Sequence, residues 1–141
     1  NELLSYIKPI SGINRKCIVL DLDNTLWGGI IGEDGINEIE LGHTANGKAY
    51  VEFQKQLLSL WKQGIILAIN SKNNFDDAMK VINEHPNMIL RKKNFASIQI
   101  NWDDKAQNLK QIAEEINIGL NSIAFFDDDL AELEQQQQAK L

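Results

Sequence analysis

Asp21 and Asp23 stand two residues apart, directly after the apolar run Cys17-Ile18-Val19-Leu20. Side chains alternate along a strand, so residues two apart face the same way, and these carboxylates can converge beyond the strand's end. Acids that close repel unless a cation lies between them or one carries a proton. Either arrangement is chemistry rather than packing. Other chemical groups follow other apolar runs: Asn70-Ser71-Lys72 after Ile65–Ile69, and Asp127-Asp128-Asp129 after Ser122–Phe126. In open parallel sheets ligands bind outside the carboxyl ends of the strands, so these groups would share one rim. Several carboxylates on one rim demand a divalent cation, and oxygen-only ligands suit magnesium. The Ser71 hydroxyl beside them can hold a phosphoryl oxygen. Lys105 opens a helical stretch, where the helix dipole disfavours a cation by ~0.3–1 kcal/mol. A lysine set against that preference, at a helix start rather than in the core, is a candidate to balance the acids or clamp a phosphate.

The elements that must position these residues are readable from periodicity. The apolar runs Cys17–Leu20, Ile65–Ile69 and Ser122–Phe126, with a weaker one at Met88–Leu90 or Ala96–Ile100, are continuous, as in parallel strands covered on both faces. Between them lie amphipathic helical stretches. Tyr50, Phe53, Leu57, Leu60 and Trp61 form one stripe stopped at Gly64; Phe75, Ala78, Met79 and Ile82 form a second ending near Pro86. Ala106, Leu109, Ile112, Ala113 and Ile116 form a third, closed by Gly119. The alternation predicts an α/β fold with a parallel sheet. Two segments stand outside it. Trp27–Leu41, rich in Gly and Ile, reads as a tight β-hairpin over the first strand's end, and Leu130–Leu141 reads as a helix whose run Gln135–Gln138 suggests no function.

Size and charge narrow the class. A chain of 141 residues is one domain, 1–141, with enough length for a proper core. A formal net charge of -6 argues against general nucleic-acid or anionic-membrane binding. A single cysteine excludes an internal disulfide and fits a reducing compartment. No stretch approaches the ~20 apolar residues a membrane span needs. The amino end carries no signal peptide and begins with Asn1 rather than Met, which suggests an excised, cytoplasmic domain.

Taken together, Asp-x-Asp-x-Thr after a strand, Ser71 after the second, Lys105 before a helix and Asp127-Asp128 after the last resemble the haloacid-dehalogenase (HAD) superfamily of phosphoryl-transfer enzymes. The closer resemblance is to the FkbH-like subfamily, on the segments 16–29 (Lys16 to Gly29), Ser71-Lys72-Asn73, His85-Pro86-Asn87-Met88, Asn101 to Ala106 and Phe126-Asp127-Asp128. That resemblance implies a HAD-like Rossmannoid three-layer sandwich with no large cap domain. It implies Asp21 as the nucleophile that becomes an aspartyl-phosphate, and Asp23 as the acid and base. It implies Mg2+ held by the Asp21 carboxylate, the Asp23 backbone carbonyl and the Asp127-Asp128 pair, with Asp128 the better ligand and Asp127 its partner. Ser71 and Lys105 would bind the phosphoryl oxygens. FkbH-like proteins take a glyceryl (or lactyl) unit from 1,3-bisphosphoglycerate, remove phosphate, and load the acyl group onto the phosphopantetheine arm of an acyl carrier protein for polyketide biosynthesis. The implied partners are therefore that carrier protein and a small phosphorylated three-carbon substrate, with no nucleic acid and no membrane. A generic HAD phosphatase and a non-catalytic docking domain are the alternatives.

The chain departs from that pattern in two places. Family members often carry Cys immediately before the second-motif Ser, where this chain has Asn70. The fourth motif usually continues Asp-Asp-Asn-Pro, where this chain has Asp127-Asp128-Asp129-Leu130. Cys17 lies about 13 Å upstream of Asp21 along a strand and reads as core. Asn70, Lys72 and Trp27 are further candidates for substrate contact, Trp27 and Trp102 being either packing aromatics or pocket lining. Asp129 reads as a helix N-cap, His85 as a cation at a helix end, and Arg91-Lys92-Lys93 as a solvated charge run or a contact for a second phosphate or an acidic carrier.

Overall fold

The computed structural model describes residues 16–139. The expectations for the amino end, and for a helix continuing through Lys140 and Leu141, lie outside the described residues. Four parallel strands, β1 (Cys17–Leu20), β2 (Ile66–Lys72), β3 (Phe95–Asn101) and β4 (Ile123–Phe126), form one sheet in the order β3-β2-β1-β4. Helix α1 (Ile31–Asp34) follows β1, and α2 (Ala45–Lys62) leads into β2. Helix α3 (Phe75–Glu84) joins β2 to β3, α4 (Lys105–Ile116) joins β3 to β4, and α5 (Leu130–Ala139) follows β4.

Strand alternation divides the core between the two faces of the sheet. Ile18 and Leu20 pack with Phe53, Leu57 and Leu60 of α2 and with Ala78, Val81 and Ile82 of α3. Cys17 and Val19 turn the other way, against Leu109, Ile112 and Ala113 of α4. Helices on both faces give the three layers. They also explain why β1, with every residue buried, is a continuous apolar run rather than an alternating one. The chain progresses outward from β1 to β2 to β3, then crosses back to place β4 on the other side of β1. The carboxyl ends of β1 and β4 therefore flank the point where strand order reverses, where α/β sheets open a crevice.

Three local expectations change. The segment Trp27–Leu41 is not a strand pair. Gly28 and Glu40 form a single antiparallel bridge, with N···O distances of 2.9 and 2.8 Å, and the intervening chain winds into α1. Asp34 Oδ2 accepts from Ile30 N at 2.9 Å and favours that turn over a ladder. Gly29 sits at φ +95°, and a Cβ there would lie 2.7 Å from Asp34 Oδ2. Secondly, Met88 and Leu90 are buried, but Met88–Leu90 forms no strand; Gln54 Oε1 accepts from Ile89 N (2.9 Å) and Leu90 N (3.0 Å) in place of a ladder. The same Gln54 donates to Leu26 O at 2.7 Å, tying α2 to the turn after β1. Thirdly, α4 is closed by Asn117 in the left-handed region rather than by Gly119. No described helix is long and apolar enough to cross a membrane.

Candidate active site

Strand β1 ends at Leu20 and delivers Asp21 to the crevice, where its backbone N still donates to Phe126 O of β4 at 3.0 Å. The chain then turns sharply, Thr25 N and Leu26 N both donating to Leu22 O, and Asn24 takes φ 58°. Asn24 Oδ1 accepts from Gly29 N at 2.8 Å and closes the turn. Carboxylate oxygens of Asp21, Asp127 and Asp128 lie within 4.8 Å of one another. Lys105, only 2% exposed, reaches into this group from the first turn of α4, with Nζ 3.2 Å from Asp21 Oδ2 and 2.5 Å from Asp127 Oδ2. The helix dipole is thus answered by two carboxylates, but Lys105 is in the core, contrary to its expected place at an accessible helix start.

The charges interact strongly. Burial pushes Asp21 up despite the opposing pull of Lys105, and burial with the Asp21 charge pushes Asp127 up to about 6. Asp128 is raised by burial and by Asp127. Burial opposes the Lys105 charge, but Asp21 and Asp127 outweigh it and raise its pKa. Three acids and one buried ammonium leave the cluster short of positive charge. Its all-oxygen donor set fits a hard divalent cation such as Mg2+, which would favour the ionised form of all three acids.

Asp127 is the anchored member. Its Oδ2 also accepts from Gln136 Nε2 at 3.2 Å and its Oδ1 from Asp129 N at 3.0 Å, while Asp128 is exposed on the pocket side. Asp23 stands apart from the cluster. Its Oδ1 accepts from Trp27 Nε1 and Ile31 N, both at 3.0 Å, and its Oδ2 from Asn73 Nδ2 at 3.0 Å. Any part of Asp23 in holding a metal therefore falls to its backbone carbonyl. Ser71 is buried at the end of β2, and its Oγ makes no hydrogen bond of ordinary geometry, though it lies close enough to help hold Asp21 ionised. A buried hydroxyl left over beside a carboxylate cluster is what an incoming phosphoryl oxygen would satisfy.

Above the cluster a pocket of about 530 Å³ is lined by Asp21, Asp23, Lys72, Lys105, Asp128 and Trp102, among others. Trp102 is 68% exposed at its edge, its Nε1 donating to Asn74 Oδ1 at 3.1 Å. Two candidates for substrate contact are corrected. Trp27 is fully buried in the core and braces Asp23, because an apolar ring beside Leu22 and Leu26 packs inward and leaves only its N–H to serve the site. Asn70 is buried too: Nδ2 donates to Lys105 O (3.0 Å) and Gln136 Oε1 (3.1 Å), and Oδ1 accepts from Asn108 Nδ2 (3.2 Å). It joins β2 to α4 and α5 rather than facing the pocket. Lys72 does face the pocket, paired with Glu132 at 2.8 Å.

Asp129 caps α5, its Oδ1 accepting from Ala131 N at 3.0 Å. His85 is not a helix cation: burial and Arg91 lower its pKa, and Nδ1 accepts from Asn87 N at 3.1 Å. Lys92 and Lys93 are exposed and absent from the pocket lining. Sequence reasoning passed over Asn73, although it lies in a motif segment, and Gln136, which a glutamine run disguised.

No family model matches the chain, and no curated protein matches it. Solved structures do. The N-terminal part of a protein from Bacteroides fragilis, containing a phosphatase domain and complexed with Mg, superposes with a TM-score of 0.87 at 39% identity over 96% of this chain. A HAD family enzyme from Bacteroides thetaiotaomicron, in complex with magnesium and inorganic phosphate, gives 0.59 at 14% identity over 90% of this chain and 91% of its own. The fold is HAD-like. An uncharacterised protein from Corynebacterium glutamicum shares it at a TM-score of 0.57 and 11% identity, covering 89% of this chain and 80% of its own. This chain spans 36% of that N-terminal part of the B. fragilis protein, and the two more distant likenesses speak to the fold alone.

Proposed function

We propose that this chain is a magnesium-dependent phosphoryl-transfer domain that works through an aspartyl-phosphate on Asp21. The observation that carries this reading is the convergence of Asp21, Asp127, Asp128 and Lys105 at the strand-order reversal of a HAD-like sheet. Asp21, Asp127 and Asp128 would hold the cation, which when bound supplies positive charge to the phosphoryl oxygens. An Asp21 oxygen attacks phosphorus and the bond to the leaving oxygen breaks. Lys105 and the Ser71 hydroxyl hold the transferring oxygens. Asp23 protonates the leaving oxygen, then takes a proton from the water that attacks the aspartyl-phosphate, releasing inorganic phosphate and restoring Asp21. Its Oδ2, which accepts from Asn73 alone, has room for that proton.

At the finer level the reading is of an FkbH-like domain that handles a three-carbon acyl phosphate and passes the acyl group to the phosphopantetheine thiol of a carrier protein. The resemblance of the motif segments supports it, as does a pocket mouth rimmed by exposed Trp102 and Ile30 with no cap over it among the described residues. Asn70 offers no thiol, and Cys17 is buried in β1 with its pKa pushed up to about 12, so transfer would be direct rather than through an acyl-enzyme. The likeness to the phosphatase domain of the B. fragilis protein supports the plainer alternative of a generic phosphatase.

The test is beryllofluoride with Mg2+, which should bind wild-type protein at Asp21 and leave Asp21→Asn unbound and without turnover. Phosphate release by Asp21→Asn at the wild-type rate would overturn the nucleophile. Intact-mass measurement of carrier proteins after incubation with 1,3-bisphosphoglycerate separates the finer readings: an added glyceryl mass supports transfer, and release of phosphate alone supports the plain phosphatase.

A further inference from the structure

The run Glu134-Gln135-Gln136-Gln137-Gln138 looks like a solvated helix surface, and most of it is. Gln136 is the exception, 2% exposed and the only residue of α5 that is fully buried. Its side chain faces Asp127 and Asn70 instead of an apolar pocket. Nε2 donates to Asp127 Oδ2 at 3.2 Å and Oε1 accepts from Asn70 Nδ2 at 3.1 Å. Asn70 in turn donates to the Lys105 carbonyl and accepts from Asn108, which also donates to Asn101 Oδ1 at 2.8 Å. A continuous buried polar chain thus runs from the end of β3, through α4 and β2, to α5 and the Asp127–Lys105–Asp21 group. Leu130 is 74% exposed, so α5 is not held by a strong apolar stripe along its length.

We propose that Gln136 is a positioning residue for the cation site: α5 docks through it, and it fixes Asp127 so that Asp127 and its neighbour Asp128 present their carboxylates to the metal. Asp127 Oδ2 is shared between Lys105 and Gln136, so two donors from different helices set the rotation of that carboxylate. Without the amide, Lys105 alone constrains that oxygen, and the carboxylate, otherwise held only through Oδ1 by Asp129 N, can turn with the ammonium away from Asp128. An amide suits this place because it serves an acid with its N–H and an amide donor with its oxygen; a carboxylate would repel Asp127, and an apolar side chain would satisfy neither. Groups that orient metal ligands from behind typically control affinity by roughly 10–100-fold.

This inference rests on the magnesium reading above, and one titration separates the two. Mg2+ alone is titrated calorimetrically into wild type, Gln136→Met, Gln136→Glu and Gln137→Ala, with melting temperatures recorded in metal-free buffer. The expected result is Mg2+ binding about tenfold or more weaker in Gln136→Met, weaker still or absent in Gln136→Glu, and unchanged in Gln137→Ala, whose side chain is exposed. A Gln136→Met protein that folds and binds Mg2+ within about twofold of wild type overturns the positioning role, whatever its melting temperature. If Gln136→Met does not fold, the comparison passes to Gln136→Glu, which keeps the size of the side chain and an acceptor for Asn70; failure of both to fold assigns Gln136 to stability and overturns the proposal. A wild type that takes up no Mg2+ refutes the magnesium reading itself.

Discussion

Without metal, the acid cluster should make the protein less stable as pH rises through the neutral range. Asp127 has a folded pKa of about 6 against an ordinary 3.8, so the folded state binds the proton more tightly. Its contribution is fully present below about pH 4 and lost as pH passes about 6. Asp21 and Asp128 are raised as well and act in the same direction. A shift of roughly 2 units at ~1.4 kcal/mol each is worth ~3 kcal/mol. Sharing of the proton among the acids lowers the observable loss to ~1–3 kcal/mol, or ~3–10 °C in melting temperature for a chain of this size. His85 works in the opposite sense, its lowered pKa removing stability as pH falls below its unfolded value of 6.5. Lys105, raised above 10.5, contributes a constant amount throughout this range. Mg2+ distinguishes the acids from His85, because it must displace protons from the cluster and His85 is not part of it. The assay is scanning calorimetry with chelator and with saturating Mg2+, at about pH 5 and about pH 7.5. The gain in melting temperature given by Mg2+ should be small at the acid end and several degrees larger at the alkaline end. An equal gain at both, or a larger one at the acid end, would refute the electrostatic account of the cluster.

Lys105→Met should abolish turnover and also cost stability, on the order of 3–5 kcal/mol in metal-free buffer at neutral pH, since two buried acids lose their counter-charge; chemical denaturation measures it, and an unchanged midpoint would show the acids to be solvated. Trp27→Phe keeps the core ring but removes the donor to Asp23 Oδ1, so kcat should fall about tenfold or more while KM holds, checked by steady-state kinetics on a phosphate ester. Trp102→Ala, at the exposed rim, should raise KM severalfold with the melting temperature unchanged. Cys17, buried and held protonated to about pH 12, should resist a thiol reagent in native protein and react on unfolding, as absorbance of the released reporter will show.

What could be read from sequence tracks what short-range patterning encodes. Strand and helix stripes specified three of the four strands closely because each is a run of contiguous apolar residues, and Asp21 and Asp127-Asp128 were visible because they follow such runs directly. β3 was ambiguous between two apolar segments, since the choice depends on Gln54, far away in α2, supplying hydrogen bonds to Ile89 and Leu90. Trp27 and Asn70 were misplaced for a related reason: sequence puts them beside the rim but does not give the direction of a side chain after a sharp turn. Lys105 was seen as a misfit in its helix, yet its burial depends on acids from β1 and β4. Gln136 had no local signature, because its neighbours are also glutamines and only its partners distinguish it.

The strand order has a consequence for the birth of the molecule on the ribosome. β1 emerges before the other strands, yet its register pairs Cys17 with Ile66 on one side and Ile123 on the other, so its second flank stays open until synthesis has reached β4. Until then Asp21 lacks the Phe126 carbonyl, Lys105 lacks Asp127, and the apolar edge of β1 has no neighbour. Pairings between distant residues are slow to form and expose a partly built sheet to unwanted contacts meanwhile. The Asp21 end of β1 is therefore completed only with β4, and a nascent chain stopped before β4 would carry Asp21 without the acids that lie beside it.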